Sequence, residues 1–165
     1  MLPWSSVYIQ IPIHHYGRVG KLKPLQDKRR YYIDILIKHL GGNESDSRKS
    51  IYCGNISGAY SFLGDLDKSY EYLKKAVDYD PESGLMHHDM GTNLMRRNNF
   101  FEAINWFEKA IALDKRLLDP YLKLAQCYCV IGNINYGVKM LDKYLTERPD
   151  DPRAIDLLSK LESLV

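Results

Sequence analysis

The residues of this 165-residue chain with the chemistry to bind a metal or move a proton are few and scattered. His87-His88-Asp89 has the residue types of a metal site. Adjacent residues on a helix point about 100° apart, so two neighbours do not share one ion. Solvated or partly packed histidines are the expectation there. Cys127-x-Cys129 has the wrong spacing for a zinc knuckle or a redox pair, and reads as small buried apolar residues. With Cys53 the cysteines number three, an odd count without framework spacing, which predicts reduced thiols and a cytoplasmic protein. Lys74-Lys75, Arg96-Arg97 and Lys115-Arg116 are short and separated, as solvated faces are. No nucleophile–base pair, phosphate-binding loop or paired-carboxylate arrangement occurs, so the chain is expected to be no enzyme by itself and to need no cofactor.

The elements that carry these residues are set by a repeat. From Ser50 to Pro149 one unit is written three times with a period of 34 residues. Tyr60, Leu94 and Tyr128 form one column, and Gly64, Asn98 and Gly132 the next. Ser69, Ala103 and Gly137 follow, then Leu73, Phe107 and Leu141, then Ala76, Ala110 and Tyr144, and finally Pro81, Lys115 and Pro149. Large, turn, small, large apolar, mostly small and breaker residues recur in fixed order, the pattern of a helix–turn–helix repeat. Gly64 and Gly132 serve the turn by allowing positive φ. The small third column lets the two helices of a unit approach closely.

The predicted helices are Leu25–Leu40, 48–63, 66–79, 82–97, 100–113, 117–131, 135–147 and 152–164. Pro24 is expected as the first residue of its helix and Pro120 within a first turn. Lys115 in place of proline predicts a softer boundary. One repeat cannot bury its apolar faces alone, so stability is expected as a nearest-neighbour sum. The final helix, with Ile155, Leu158 and Leu161 on one face, would cover one end of the stack and Leu25–Leu40 the other.

On these columns the sequence resembles the tetratricopeptide repeat family over three full units, about 50–83, 84–117 and 118–151. The resemblance implies an all-α, right-handed helical-repeat solenoid over 24–165, after a short extended segment over 1–23, and a protein-interaction module that binds a peptide or protein in its concave groove. In that family the first helix of each unit lines the groove. By repeat position it would present Ile51, Gly54, Asn55, Gly58, Ser61 and Phe62, then Leu85, His88, Asp89, Thr92, Met95 and Arg96, then Asp119, Leu122, Lys123, Gln126, Cys129 and Val130. The binding residues expected are Asn55, Gly58, Phe62, His88, Asp89, Thr92, Arg96, Lys123 and Gln126. Gly54 and Gly58 either leave exposed backbone for a peptide, the chain's own N-terminal segment included, or allow close helix contact. They also stand where one subtype carries the Lys and Asn of a clamp for acidic C-terminal tails, which argues against that specialised function.

The first forty residues carry a second resemblance. Val7-Tyr8-Ile9-Gln10-Ile11-Pro12-Ile13-His14-His15-Tyr16-Gly17-Arg18, then Lys23 and Lys28-Arg29-Arg30, is similar to the end of the catalytic domain in bacterial family 2 glycosyltransferases with C-terminal repeats. It implies an alternative function, the acceptor-binding or dimerising tail of such an enzyme. His15, with His14 as alternate, would then be the counterpart of a histidine that joins the metal holding the sugar-nucleotide diphosphate. One histidine cannot build a divalent-metal site without carboxylates, so no metal is expected for this chain, which would be a fragment of a larger enzyme or a remnant that kept the repeats.

Composition bounds the partners. Net charge is +2, from Lys+Arg 23 against Asp+Glu 21, which gives no electrostatic case for nucleic acid. No apolar run approaches the ~20 residues that span a bilayer, and the start lacks the basic flank of a signal peptide. Tyrosine is abundant, 13 against 4 Phe, which suits either a recognition surface or a core with satisfied hydroxyls. Exposed terminal helices predict a monomer or weak homodimer.

Overall fold

A computed structural model describes residues 24–162. Among them are eight α-helices and no strand: α1 Leu25–Leu40, α2 Asp46–Leu63, α3 Leu66–Tyr79, α4 Gly84–Arg96, α5 Phe100–Leu113, α6 Asp119–Val130, α7 Ile134–Glu147 and α8 Pro152–Glu162. The expected extended segment over 1–23, with His14 and His15, lies outside the described residues.

Three units, α2–α3, α4–α5 and α6–α7, share one template down to single hydrogen bonds. The carbonyls of Tyr60, Leu94 and Tyr128 accept the N–H of Asp65, Asn99 and Asn133 at 3.0, 2.9 and 2.8 Å. Those of Ser61, Met95 and Cys129 accept from Gly64, Asn98 and Gly132 at 3.2, 3.0 and 3.1 Å. The paired bonds close the first helix of each unit around a left-handed residue, with φ of 85° at Gly64, 60° at Asn98 and 80° at Gly132. Asparagine replaces glycine in the middle unit because its short polar side chain tolerates that conformation.

The second helix of each unit starts at the turn and ends by the same bond. Ala76, Ala110 and Tyr144 accept the N–H of Asp80, Asp114 and Arg148, each at 3.0 Å. Ser69, Ala103 and Gly137 are all buried, as are Leu73, Phe107 and Leu141. Truncating a ring as enclosed as Phe107 costs ~3–5 kcal/mol.

Helix starts differ where capping differs. Ser83 accepts the N–H of Met86 at 3.4 Å, and α4 begins at Gly84, two residues later than the sequence reading. One period on, Leu117 has no oxygen to offer, and α6 begins only at Asp119. Ser45 caps α2, which therefore begins at Asp46 rather than residue 48. Pro24 is the N-cap of α1, outside the helix, not its first residue. The turn carrying Lys115 is held by Asp114, whose carboxylate accepts from Arg116 N and Nε, both at 3.0 Å.

α8 keeps the period and stands in the place of a fourth first helix. Ala59, Asn93, Cys127 and Leu161 lie 34 residues apart in sequence and are all buried. Its buried face is Ala154 and Leu161 with Leu157 and Leu158 half-buried, while Ile155, expected on that face, is 47% exposed. The i, i+3, i+6 spacing identified one side of the helix but not the burial of Ala154. Tyr144 stands where the other units have alanine, in one cluster with Ala154, so a large residue fills what a small one leaves. Its hydroxyl donates to Asp151 Oδ2 at 2.6 Å, and Arg153 Nη2 donates to the same carboxylate at 2.7 Å. These bonds tie α7 to the start of α8. At the other end α1 packs Ile33 and Leu36 against Ile56 and Ala59 of α2.

Candidate functional site

Helices α2, α4 and α6 touch one another in sequence order, α2 with α4 and α4 with α6. Helices α3 and α5 each join the first helix of their own unit to that of the next, and α7 joins α6 to α8. In a curved stack the layer whose successive helices meet is the inner one, so the exposed side of α2, α4 and α6 is the concave face.

The two glycines of α2 separate here. A Cβ on Gly54 would sit 2.9 Å from Met86 Sδ, and the residue is buried: it serves close contact between α2 and α4 and offers no exposed backbone. A Cβ on Gly58 would meet nothing within 4 Å, and the residue is exposed. Gly58 therefore leaves space on the inner face, and Gly54 does not.

Exposed apolar side chains stand on α2 and α6. Ile51 is 42% exposed, Phe62 46% and Val130 60%. Arg29 of α1 places its guanidinium carbon 4.8 Å from the Phe62 ring centroid, a cation–π contact that fixes the ring's edge of the face. Arg96 is engaged within the stack: its Nη1 donates to Ser61 O at 3.3 Å and to Ser61 Oγ. Asn55, Lys123 and Gln126 are half-buried. Leu122, an expected groove residue, instead lies in the core with Leu141 and Tyr144, because α7 and α8 close over that side of α6.

The polar centre is on α4. His88 and Asp89 have side chains 16% and 33% exposed, and His88 Nδ1 lies 3.1 Å from Asp89 Oδ1. The ring of His88 tilts against Phe107 at 5.8 Å. Its Nε2 is buried without a hydrogen-bond partner, and so is Oγ1 of Thr92, one turn further along the helix. Burying a polar atom without a partner costs ~1–3 kcal/mol. His87 turns elsewhere: it is buried, its Nδ1 lies 2.9 Å from Ser83 O, and its ring packs against Trp106 at 5.2 Å. The two histidines thus have separate partners, and among the described residues no three of His, Cys, Asp and Glu converge as a metal's ligands would.

Cys53 and Cys127 are fully buried, and burial pushes both thiols up to about 11. Cys129 is only half-buried, beside the inner face, which departs from the expectation of two buried cysteines. Tyr128 is pushed up to about 12, first by burial and then by donating to Glu108 Oε1 at 3.1 Å.

Two profiles described as tetratricopeptide repeat match this chain, one over residues 51–83 and one over 94–161. The chain carries tetratricopeptide repeats. The matched stretches do not reach the first forty residues, on which the resemblance to a glycosyltransferase rests. The Sol locus transcriptional repressor of Clostridium acetobutylicum is 36% identical over 99 residues, 60% of this chain and 31% of that protein. Mitochondrial import receptor subunit TOM70 of Rattus norvegicus is 31% identical over 85 residues, 52% of this chain and 13% of that protein. The chain therefore spans less than a third of the length of these relatives.

Solved structures show the same fold. MamA superposes with a TM-score of 0.72 at 21% identity, covering 87% of this chain and 85% of that one. The first repeat domain of Spaghetti (RPAP3), bound to the HSP90 peptide SRMEEVD, gives 0.71 at 20% identity over 74% and 98%. The TPR2B domain of yeast Sti1 in its pHsp70 complex gives 0.68 at 18% identity over 72% and 100%.

Within the tetratricopeptide repeats the sequence reading missed a buried polar cluster. Ser57 Oγ and Ser69 Oγ lie 2.8 Å apart, and Asn93 Nδ2 donates to Ser69 Oγ at 2.9 Å and to Leu66 O at 3.1 Å. The cluster joins the first two repeats. Its signal was Asn93, a polar residue in a column otherwise filled by Ala59, Cys127 and Leu161. Gly91 was missed too: a Cβ there would fall 2.7 Å from Phe107 Cε1. No helix of the described residues is long and apolar enough to cross a membrane.

Proposed function

We propose that this chain is a protein-interaction module that holds an extended peptide on the inner face of α2, α4 and α6. The observation that carries this is the exposure of Ile51, Phe62 and Val130 on that face, together with the unfilled space at Gly58. Large apolar side chains left bare on the concave side of a stack form the kind of patch a partner covers. Asn55, His88, Asp89, Thr92, Lys123 and Gln126 supply polar contacts beside it. The peptide complex of RPAP3 supports the reading, since the same fold carries a peptide there. In this reading the chain is an adaptor with no catalytic step of its own, working in the cytoplasm as a monomer or weak dimer.

The test pairs a selected peptide with two substitutions. Phage display of random peptides on the full chain supplies a fluorescent binder for anisotropy titration. Gly58→Leu fills the space and Phe62→Asp removes the apolar rim, and each is expected to weaken binding at least tenfold with an unchanged circular-dichroism spectrum. Equal affinity in both variants would refute the inner face as the site.

A further inference from the structure

Among the described residues, bare apolar side chains form a stripe on the inner face and are dispersed elsewhere. Helices α3, α5, α7 and α8 expose Tyr79, Phe101, Tyr136 and Ile155, one on each. On α1, Leu25, Tyr31 and Ile37 follow six residues apart, which turns each about 120° from the last at 3.6 residues per turn. On α2, Ile51, Gly58 and Phe62 fall within an arc of about 40° by the same rule. Val130 of α6 stands two periods after Phe62, at the same repeat position.

The chain upstream of α1 is delivered to that stripe. Arg29, in the second turn of α1, sets its guanidinium carbon 4.8 Å from the Phe62 ring centroid. Pro24 lies about 8 Å back along the helix, and its ψ of 145° sends the preceding chain off in an extended direction. In that preceding chain Val7, Ile9, Ile11 and Ile13 alternate with Tyr8, Gln10 and Pro12. Extended, residues 7–13 have one face made wholly of β-branched apolar side chains, and they carry no charge. The described residues contain no strand with which such a segment could pair, so a helical surface is what it can cover.

The lengths agree. Residues 7–13 extended span about 20–22 Å, and the tether of residues 14–23 reaches up to about 35 Å. Packed helices lie about 8–10 Å apart, so the step from α2 across α4 to α6 is about 16–20 Å.

We propose that residues 7–13 of this chain lie across its own inner face, from Phe62 toward Val130, so that an outside peptide binds by displacing them. This rests on the proposed groove and names its resident occupant. A short tether holds its segment at an effective concentration on the order of 1 mM. A segment with a dissociation constant of about 0.1 mM is then bound about ten times as often as free, and the affinity for an outside peptide falls about tenfold.

The experiment places a nitroxide label in the full chain at Gln10→Cys, on the edge away from the isoleucines, with Cys129→Ser to leave no other accessible thiol. The amides of Gly58, Phe62 and Val130 should be broadened, and those of Phe101 and Tyr136 should keep their intensity. An isotope-labelled chain without nitroxide, mixed with an unlabelled chain that carries it, should show no broadening; broadening equal to that within one chain would assign the segment to a second copy and overturn the proposal. In the second arm, Ile9→Asp with Ile11→Asp in the full chain should raise the affinity for a display-selected peptide at least fivefold by anisotropy. Unbroadened amides at Gly58 and Phe62, or an affinity that the double substitution leaves unmoved, would overturn the self-occupied groove. If Gly58→Leu still weakens the peptide in that case, the groove itself stands; a peptide indifferent to Gly58→Leu would remove the groove and its occupant together.

Discussion

Three glycines, Gly54, Gly58 and Gly91, lie in the interiors of the first helices of the first two repeats, and replacing each with alanine should have a different outcome. An interior helical glycine costs ~1 kcal/mol against alanine, so with no other effect each substitution would stabilise by that amount. At Gly58 there is no other effect, because the added Cβ meets nothing within 4 Å. At Gly91 it would fall 2.7, 2.8 and 3.0 Å from Cε1, Cδ1 and Cζ of Phe107. Ordinary carbon contacts lie near 3.5–4.0 Å, and the ring is wholly enclosed, so either the ring or α4 must shift. Overpacking of that kind costs ~1–3 kcal/mol, leaving Gly91→Ala destabilised by ~0–2 kcal/mol after the helix gain. The two variants should therefore differ by ~1–3 kcal/mol, on the order of 2–12 °C in melting temperature for a chain of this size. Gly54→Ala should fall between them, since Met86 Sδ at 2.9 Å is the end of a side chain that can bend away. Urea denaturation followed by circular dichroism at 222 nm reads the order directly. Equal midpoints for Gly58→Ala and Gly91→Ala would refute the division between open and packed glycines, and with it the claim that Gly58 leaves space for a ligand.

Other expectations follow from single sites. With their thiols pushed up to about 11 and no exposure, Cys53 and Cys127 should resist a thiol reagent at pH 8, where Cys129 reacts; mass spectrometry showing all three modified at one rate would contradict the burial. Asp151 is held well below the usual carboxylate range, first by hydrogen bonds from Arg153 and then by the Tyr144 hydroxyl. A depressed acid stabilises the fold above its unfolded pKa, so the advantage of the natural chain over Asp151→Asn should be full above pH ~4 and shrink as the pH falls below it. At pH 7 it should be ~1–2 kcal/mol, expressed as faster amide exchange in α8, and unchanged exchange there would count against the clasp. Arg96→Ala should weaken the join between the first two repeats while leaving peptide affinity within threefold, because its guanidinium is engaged by Ser61. A tenfold loss of affinity would instead make Arg96 a ligand contact.

Much of this architecture was legible in the chain because each repeat column answers to a local rule. Tyr60, Leu94 and Tyr128 mark where a helix closes, the left-handed residue four places on marks the turn, and the bounds of α3 and α5 followed directly. What the columns could not show was which neighbour each residue meets. Gly54 and Gly58 look alike in sequence, and only the position of Met86 tells them apart. Leu122 sits at a groove position, yet α7 and α8 enclose it. The start of α6 was misplaced because a missing cap is an absence, and absences are weak signals in a sequence. The polar residues of the candidate site were named by register, but the missing partners of His88 Nε2 and Thr92 Oγ1 depend on how α2, α4 and α5 pack.

The central claim is that the inner face of the first helices is the binding surface, and amide chemical-shift mapping with a display-selected peptide tests it most directly. Perturbations should concentrate on α2, α4 and α6, with the largest near Gly58, His88 and Thr92. A map centred on α3, α5 and α7, with those three amides unmoved, would contradict the account.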